Sequence, residues 1–402
     1  MSQNFMSLRE MANKMGLDRR TAREYAQHLG YTFMYVKRAD HSDQKAACLT
    51  TVEAKEVIYD YSISMKRRET ADNMRRLQKD LKAMTHERDR LMSELEAIQR
   101  APKDTPEWMK APQSNKEHHA TLVLVLSDMH FGEVVSKREV YGANEYNVKI
   151  ASRRVKAIGD HAIMVARDYF CANSKLVIDG AVIMLAGDAV SGTIHDELSA
   201  TNEQTTMESI VSFVPIVCEE IVGKLLTEFK QVRVLSVPGN HDRFGRKVSA
   251  KHTATSAATW VFGKWIESKF SGVEGISFDI SEAADTYHQI YSTKFCLTHG
   301  DSFKSGDSMI GMLGPVKRGT LRKSFRDSHI GNNFDILVCG HFHSYCSAPS
   351  QGFITNGSLK GFDEYSARCG YSPEPPMQAM FLVAPEYKGV TFSAPVFAER
   401  HK

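Results

Sequence analysis

The sequence predicts an α/β protein built on a layered sheet, preceded by a small helical unit and a long coiled-coil helix. Three observations carry this. From residue 120 onward, short aliphatic runs alternate with helical segments, as in a sheet with helices packed on it. Residues 50–100 contain neither Pro nor Gly and read as one continuous helix. The first forty residues show two short helical patterns joined by a glycine turn. At 402 residues the chain is too long for one core, and two or three domains are expected. The divisions fall at 1–45 (helix-turn-helix-like), 50–100 (coiled coil), 101–119 (linker) and 120–402 (the α/β domain).

The composition is that of a soluble globular protein, with 42% hydrophobic and 25% charged residues. The net charge of +3 does not announce a polyanionic partner. Residues 1–110 carry 21 Lys+Arg and 17 Asp+Glu, against 30 and 31 in the remainder, so the small positive excess lies N-terminally. The opening MSQNFMSLREMANKMG lacks the apolar core of a signal peptide. No apolar run of about 18 residues is present, so no membrane span is expected. Seven cysteines without a CxxC pair suggest a reduced, cytoplasmic protein with neither disulfide framework nor zinc knuckle.

In LREMANKMG, Leu8, Met11, Ala12 and Met15 line one helical face. Gly16-Leu17 ends it, Asp18 caps a second helix, and Gly30 closes that one. The second helix carries Arg19, Arg20 and Arg23 near its start, where a recognition helix meets DNA. The same pattern also fits a helical hairpin packed against a partner chain. In the long helix, Met74, Leu77, Leu81, Met84, Arg88, Leu91, Leu95 and Ile98 follow alternating steps of 3 and 4, and seven of the eight are apolar. This is a coiled-coil seam with Arg88 as its polar position. It predicts a homo-oligomer joined through 74–98, the alternative being an amphipathic helix packed on its own domain. Three prolines in APKDTPEWMKAPQSNKEHH mark the linker, and His118-His119 reads as solvated.

Strands are predicted at 121–127, 181–187, 232–237, 294–298, 335–340 and 352–356, and helices at 150–170 and 205–230. Five of the strands end on metal-binding side chains: Asp128 and His130, Asp188, Asn240-His241-Asp242, His299, and His341 with His343. Singly, each is a turn former or cap more often than a ligand, but five in order form a set. Carboxylate, imidazole and carboxamide donors suit manganese, iron or zinc. Strand ends gather at one sheet edge, the usual crevice of an α/β fold. Glycines beside them permit sharp turns. Two ions about 3.5–4 Å apart can bridge one hydroxide and stabilise attacking and leaving oxygens at phosphorus.

The ordered series DMH (128–130), GD (187–188), GNHD (239–242), His299 and GHFH (340–343) resembles the calcineurin-like metallophosphoesterase superfamily over roughly residues 120–360. The resemblance implies a β-sandwich flanked by helices. It also implies two divalent ions, most readily Mn2+, with Fe2+ or Zn2+ as alternatives. By it, Asp128, His130 and His343 hold one ion, Asn240, His299 and His341 the other, and Asp188 bridges them. His241 acts on the leaving oxygen, a role suited to a pKa near neutrality, and Asp242 orients it.

The ligand series does not select a substrate. Basic segments flank it, with Arg243, Arg246, Lys247 and Lys251 on one side and Lys317, Arg318, Arg322, Lys323 and Arg326 on the other. Such segments suit a polyanionic backbone or form solvated helix faces. His195, on the loop after Asp188, is a further candidate substrate contact. The blocks resemble the DNA-nuclease branch, including SbcD-type repair nucleases and phage-encoded relatives, and GFITNGSLKGFDEYS resembles the superfamily's closing segment. With the N-terminal unit, this predicts a DNA phosphodiesterase. There is no GxxxxGK[ST] motif, so an ATPase would be a separate partner chain. A small-substrate phosphodiesterase, a phosphoprotein phosphatase and a DNA-binding regulator or scaffold with a secondary metal centre are the alternatives.

Overall fold

The structure, a computed structural model, describes residues 5–37, 45–98, 105–110, 118–172, 175–303 and 311–399. Most of the linker, the carboxy-terminal residues and the side chains of the seam from Arg88 to Ile98 lie outside the described residues. Two compact units, Met1–Ser93 and Glu94–Lys402, are distinguished.

The first unit begins with β1 (Phe5–Ser7), α1 (Leu8–Met15) and α2 (Arg19–His28). Ser7 caps α1 by accepting from Glu10 N, and Gly16 ends it at φ 69. Asp18 caps α2, accepting from Arg20 N and Thr21 N. The helices are those the sequence predicts, but the structure adds β2 (Met34–Lys37) and β3 (Lys45–Thr50). With β1 they form an antiparallel sheet in the order β1-β3-β2. These strands are too short for alternation to reveal them, and pairing with each other fixes them instead. Met11, Met15, Ala22, Ala26, Leu49 and Val57 make the small core.

α3 (Thr51–Ile98) follows. Its start is locked reciprocally: Thr50 N donates to Glu53 Oε2 at 2.9 Å, and Glu53 N to Thr50 Oγ1 at 3.3 Å. At 48 residues it extends about 70 Å. Met74, Leu77, Leu81 and Met84 are all more than half exposed.

The second unit opens with a short turn of helix (Glu107–Met109), then β4 (His118–Leu126), α4 (Val148–Met164), β5 (Leu176–Leu185), α5 (Asp196–Thr201), α6 (Thr206–Val217), α7 (Lys224–Phe229) and β6 (Val232–Ser236). After α8 (Ala258–Lys269) come β7 (Ile276–Ile280), β8 (Asp285–Ile290), β9 (Thr293–Thr298), α9 (Leu313–His329) and β10 (Ile336–Cys339). The chain closes through β11 (Cys346–Ala348), β12 (Phe353–Thr355), α10 (Glu364–Cys369), β13 (Met377–Val383) and β14 (Val390–Phe397). A six-stranded sheet, β14-β13-β4-β5-β6-β7, faces a five-stranded one, β11-β12-β10-β9-β8.

Side-chain alternation explains why the strands read as unbroken apolar runs. On β4, Val123 and Val125 point into a core shared with Phe295, Leu297, Val338 and Ile354 of the other sheet. Leu122, Leu124 and Leu126 point the opposite way, against α4, α6 and α8. On β9, Cys296 joins Val316 of α9 on the outer face of the smaller sheet. The unit is therefore a β-sandwich covered by helices on both faces, as expected. β7, β8, β11, β13 and β14 have no counterpart in the sequence reading. β8, DTYHQI, is a polar edge strand, and such a strand carries little apolar signal.

Part of the stretch read as linker is folded. Trp108 and Met109 are buried in the inter-sheet core, and a Cβ on Gly180 would lie 2.6 Å from the Trp108 ring. His119, expected in solvent, is 3% exposed and 2.6 Å from Asp179 through Nδ1. Among the described residues no helix is long and apolar enough to cross a membrane.

Candidate metal centre

β4, β5 and β6 run parallel, as do β9 and β10. Their C-terminal ends carry the motif residues. The backbone there is unusual. Among the described residues nine non-glycines have positive φ, and five are Asp128, His130, Asp188, His341 and His343. A left-handed residue with a side chain costs about 1–2 kcal/mol, and such strain persists where surrounding structure holds a functional geometry.

All seven proposed ligands come together. Asp128, His130 and His343 offer donor atoms within one ion's reach, as do Asp128, Asp188 and His299, and His130, Asp188 and His241. His130 Nε2 lies 3.2 Å from His343 Nε2, and His343 Nε2 3.4 Å from Asp128 Oδ1. On the other side His299 Nε2 is 3.0 Å from Asp188 Oδ2 and 2.9 Å from Asn240 Oδ1, and His341 Nδ1 is 3.0 Å from the same Asn240 oxygen. Asp188 is shared between the donor groups, as a bridging carboxylate would be. The donor set fits a pair of divalent cations: imidazole nitrogens converge on one another and on carboxylates, a packing that desolvates lone pairs until a cation lies between them.

The tautomers agree. His299 Nδ1 meets the Ala186 carbonyl at 2.7 Å. A carbonyl only accepts, so Nδ1 carries a proton and Nε2 is the nitrogen turned inward to Asp188 and Asn240; burial lowers this imidazole, but the Asp188 charge and hydrogen bond raise it well above the ordinary range. His241 Nδ1 likewise meets the Ser191 carbonyl at 2.9 Å. Burial, the largest influence, holds His241 below the ordinary imidazole range, while the charge of Asp188 acts in the opposite direction.

Residues to which the sequence assigns no role support these. Ser127 Oγ donates to Asp128 Oδ2 at 2.5 Å, and Asn356 Nδ2 to Ser127 Oγ at 2.9 Å. Asn356 also bonds Gln378, whose Oε1 accepts from Ser127 N. Ser358 Oγ donates to the Asp128 carbonyl. Asn356 and Ser358 lie in the quoted closing segment, whereas nothing in the sequence marks Gln378.

Asp242 is a correction. Its Oδ2 accepts from Gly239 N, Asp188 N and Thr259 Oγ1 at 2.6, 3.0 and 2.5 Å, and it has no hydrogen bond to His241. It fastens the turn after β6 to Asp188, because its buried side chain turns to Gly239, Asp188 and Thr259 while the His241 ring lies against Ser191 and His130. Burial and the Asp188 charge push its carboxyl up to about 7.

The candidate substrate contacts divide. His195 is exposed, with its ring centroid 5.8 Å from that of His241, so the loop after β5 does reach the site. Arg246 pairs with Asp196. Arg243 is half-buried, whereas Lys247 and Lys251 are exposed. On α9, Arg318 and Arg322 are exposed. Lys323 is not: it is 9% exposed and bonds Asp285 Oδ1 at 2.6 Å, which removes it from the open basic set. Helical period turns it away from the face of Arg318 and Arg322 and toward β8. Lys317 donates to the Gln351 carbonyl, and Arg326 pairs with Asp285 and Asp327. In the first unit, Arg19 is exposed, Arg20 pairs with Glu24 at 2.9 Å, and Arg23 lies over the Phe33 ring.

The fold and site thus define an α/β sandwich with a cluster of side chains able to hold metal at its strand ends. No protein-family model and no curated protein matches the chain. Among solved structures it is similar to vacuolar protein sorting 29 from Cryptosporidium parvum, at 14% identity over 66% of this chain and 86% of that one, TM-score 0.28. It is also similar to a predicted phosphoesterase from Streptococcus pneumoniae (14%, 69% and 97%, TM-score 0.24) and a dimetal phosphatase from Danio rerio (9%, 69% and 99%, TM-score 0.29). TM-scores this low leave the reading of the site to its own residues.

Proposed function

We propose that the chain is a metal-dependent phosphodiesterase acting on DNA. The observation that carries the hydrolytic part is the convergence of Asp128, His130, Asp188, Asn240, His299, His341 and His343 at the strand ends, five of them in strained backbone. Asp128, His130 and His343 would hold one divalent ion and Asn240, His299 and His341 the second, with Asp188 between. When bound, such a pair supplies Lewis acidity and a hydroxide nucleophile at neutral pH.

The chain's own contribution is orientation and proton handling. Ser191 fixes His241 through Nδ1, leaving Nε2 for the leaving oxygen. Burial disfavours the imidazolium and the charge of Asp188 favours it; when it forms, its Nε2–H can pass to the leaving oxygen, after which the neutral ring serves as acceptor. Asp188 is held by the His241 and Asp242 segments, so it need not reorganise as charge develops. Support for DNA comes from the exposed cations Lys247, Lys251, Arg318 and Arg322 and from Arg19 at the start of α2. The exposed seam of α3 supports a homo-oligomer. Mn2+ is the proposed ion, and an ATPase, if used, is a separate chain.

The test is purified protein with Mn2+ on linear DNA, circular DNA, cyclic nucleotides and p-nitrophenyl phosphate esters, beside Asp188→Asn. Wild-type cleavage of DNA, with a loss of about 10²–10³-fold in the variant, supports the proposal. Turnover of the monoester alone sinks the nuclease reading. Unchanged turnover in the variant sinks the metal centre.

A further inference from the structure

Glu133 is the last residue of LVLVLSDMHFGE, three positions after His130. It is 5% exposed. Its Oε1 accepts from Lys360 Nζ at 2.8 Å, and Lys360 Nζ also reaches Asp363 Oδ2 at 2.6 Å. Its Oε2 accepts from Ser191 Oγ at 3.2 Å and lies 3.3 Å from His130 Nδ1. That nitrogen makes no hydrogen bond among the described residues, the carboxylate beside it included, so the contact is one of charge and proximity. Lys360 is 4% exposed and Asp363 6%. The turn bearing Lys360 is fixed independently, since Asn144 and Arg154 both donate to the Lys360 carbonyl, at 2.9 and 2.7 Å.

Burying two carboxylates and one ammonium is expensive, and apolar residues of similar volume would serve stability as well or better. The cluster carries one net negative charge, and its unneutralised edge faces a proposed metal ligand. A buried carboxylate against the second nitrogen of a ligating histidine fixes the tautomer and raises ligand basicity.

We propose that Glu133 is a positioning residue that holds His130 as its Nδ1–H tautomer, with Lys360 and Asp363 clamping the carboxylate. The inference rests on the metal reading above. Lys360 occupies Oε1, so only Oε2 remains for His130 and Ser191. Through Ser191, whose carbonyl orients His241, the same carboxylate also touches the residue proposed to meet the leaving group.

Glu133→Gln tests this. Lys360 would retain the amide oxygen, so the amide NH2 would face His130. It would donate to Nδ1 and force the proton onto Nε2, the ion-facing nitrogen. Full-length protein labelled with ¹⁵N-histidine reports the tautomer without metal, and Mn2+ calorimetry reports affinity. We expect the His130 signals to invert and one Mn2+ site to weaken by about 10–100-fold. Ser191→Ala, which keeps the carboxylate, leaves the tautomer unchanged. Should Glu133→Gln fail to fold, Glu133→Asp keeps the charge opposite Lys360 but withdraws it from His130, and is expected to lose the single tautomer. Wild-type Mn2+ binding together with a folded variant that matches it in both readouts overturns the positioning role. Wild-type protein that binds no Mn2+ overturns the metal reading instead.

Discussion

The main-chain nitrogen of His241 donates to Asp188 Oδ1 at 2.7 Å, tying the β6 turn to the carboxylate at the end of β5. The approach requires glycine: a Cβ on Gly239 would sit 2.1 Å from that same oxygen. Gly239→Ala should therefore push Asp188 out of place. Expected are a loss of about 2 kcal/mol in denaturant unfolding and a weakened second Mn2+ in calorimetry. A variant that binds both ions as wild type does would show that the contact relaxes freely.

His241 belongs to one of the donor clusters yet is assigned to the leaving group. His241→Asn separates the roles. Retained Mn2+ stoichiometry with kcat lowered about 10²–10⁴-fold is expected. Loss of an ion from the variant would make His241 a ligand.

The α3 seam exposes Leu77 and Leu81 at 64% and 66%. An apolar stripe this regular is stable in water when a second helix covers it. Leu77→Glu with Leu81→Glu should lower the mass found by sedimentation equilibrium to that of a monomer. Wild-type protein already monomeric at micromolar concentration would remove the oligomer.

Asp285 links stability to pH. Burial alone would raise its carboxyl, but the charge of Lys323 and bonds from Lys323 and Arg326 bring it below the ordinary value. A depressed folded pKa contributes stability that is fully present above the unfolded value, about 3.9, and is lost as pH falls through the folded one. Asp285→Asn should cost on the order of 3 kcal/mol at pH 7 and less at pH 3, below the unfolded value. Equal destabilisation at both values, measured by urea unfolding, would assign the effect to packing.

The strands that carry the site were legible because both faces are buried, which turns β4, β5, β6, β9 and β10 into aliphatic runs with polar residues at their ends. β8 was not, since an edge strand such as DTYHQI needs no apolar pattern. The seven proposed ligands were legible as residue types at turn glycines. The roles of Asp242 and Lys323 were not, because a charge adjacent in sequence gives no sign of which way its side chain points.

By itself the sequence determined the helical start, the long seam and the order of donor-bearing strand ends, since these rest on local periodicity and turn chemistry. The tertiary structure alone decided what stands behind the donors: Gln378 and Asn356 under Asp128, Thr259 under Asp242, and Lys360 under Glu133. Those partners lie from 17 to 250 residues away in the chain. Two sheets must pack before their atoms meet, and no local pattern encodes a contact between chain segments so far apart.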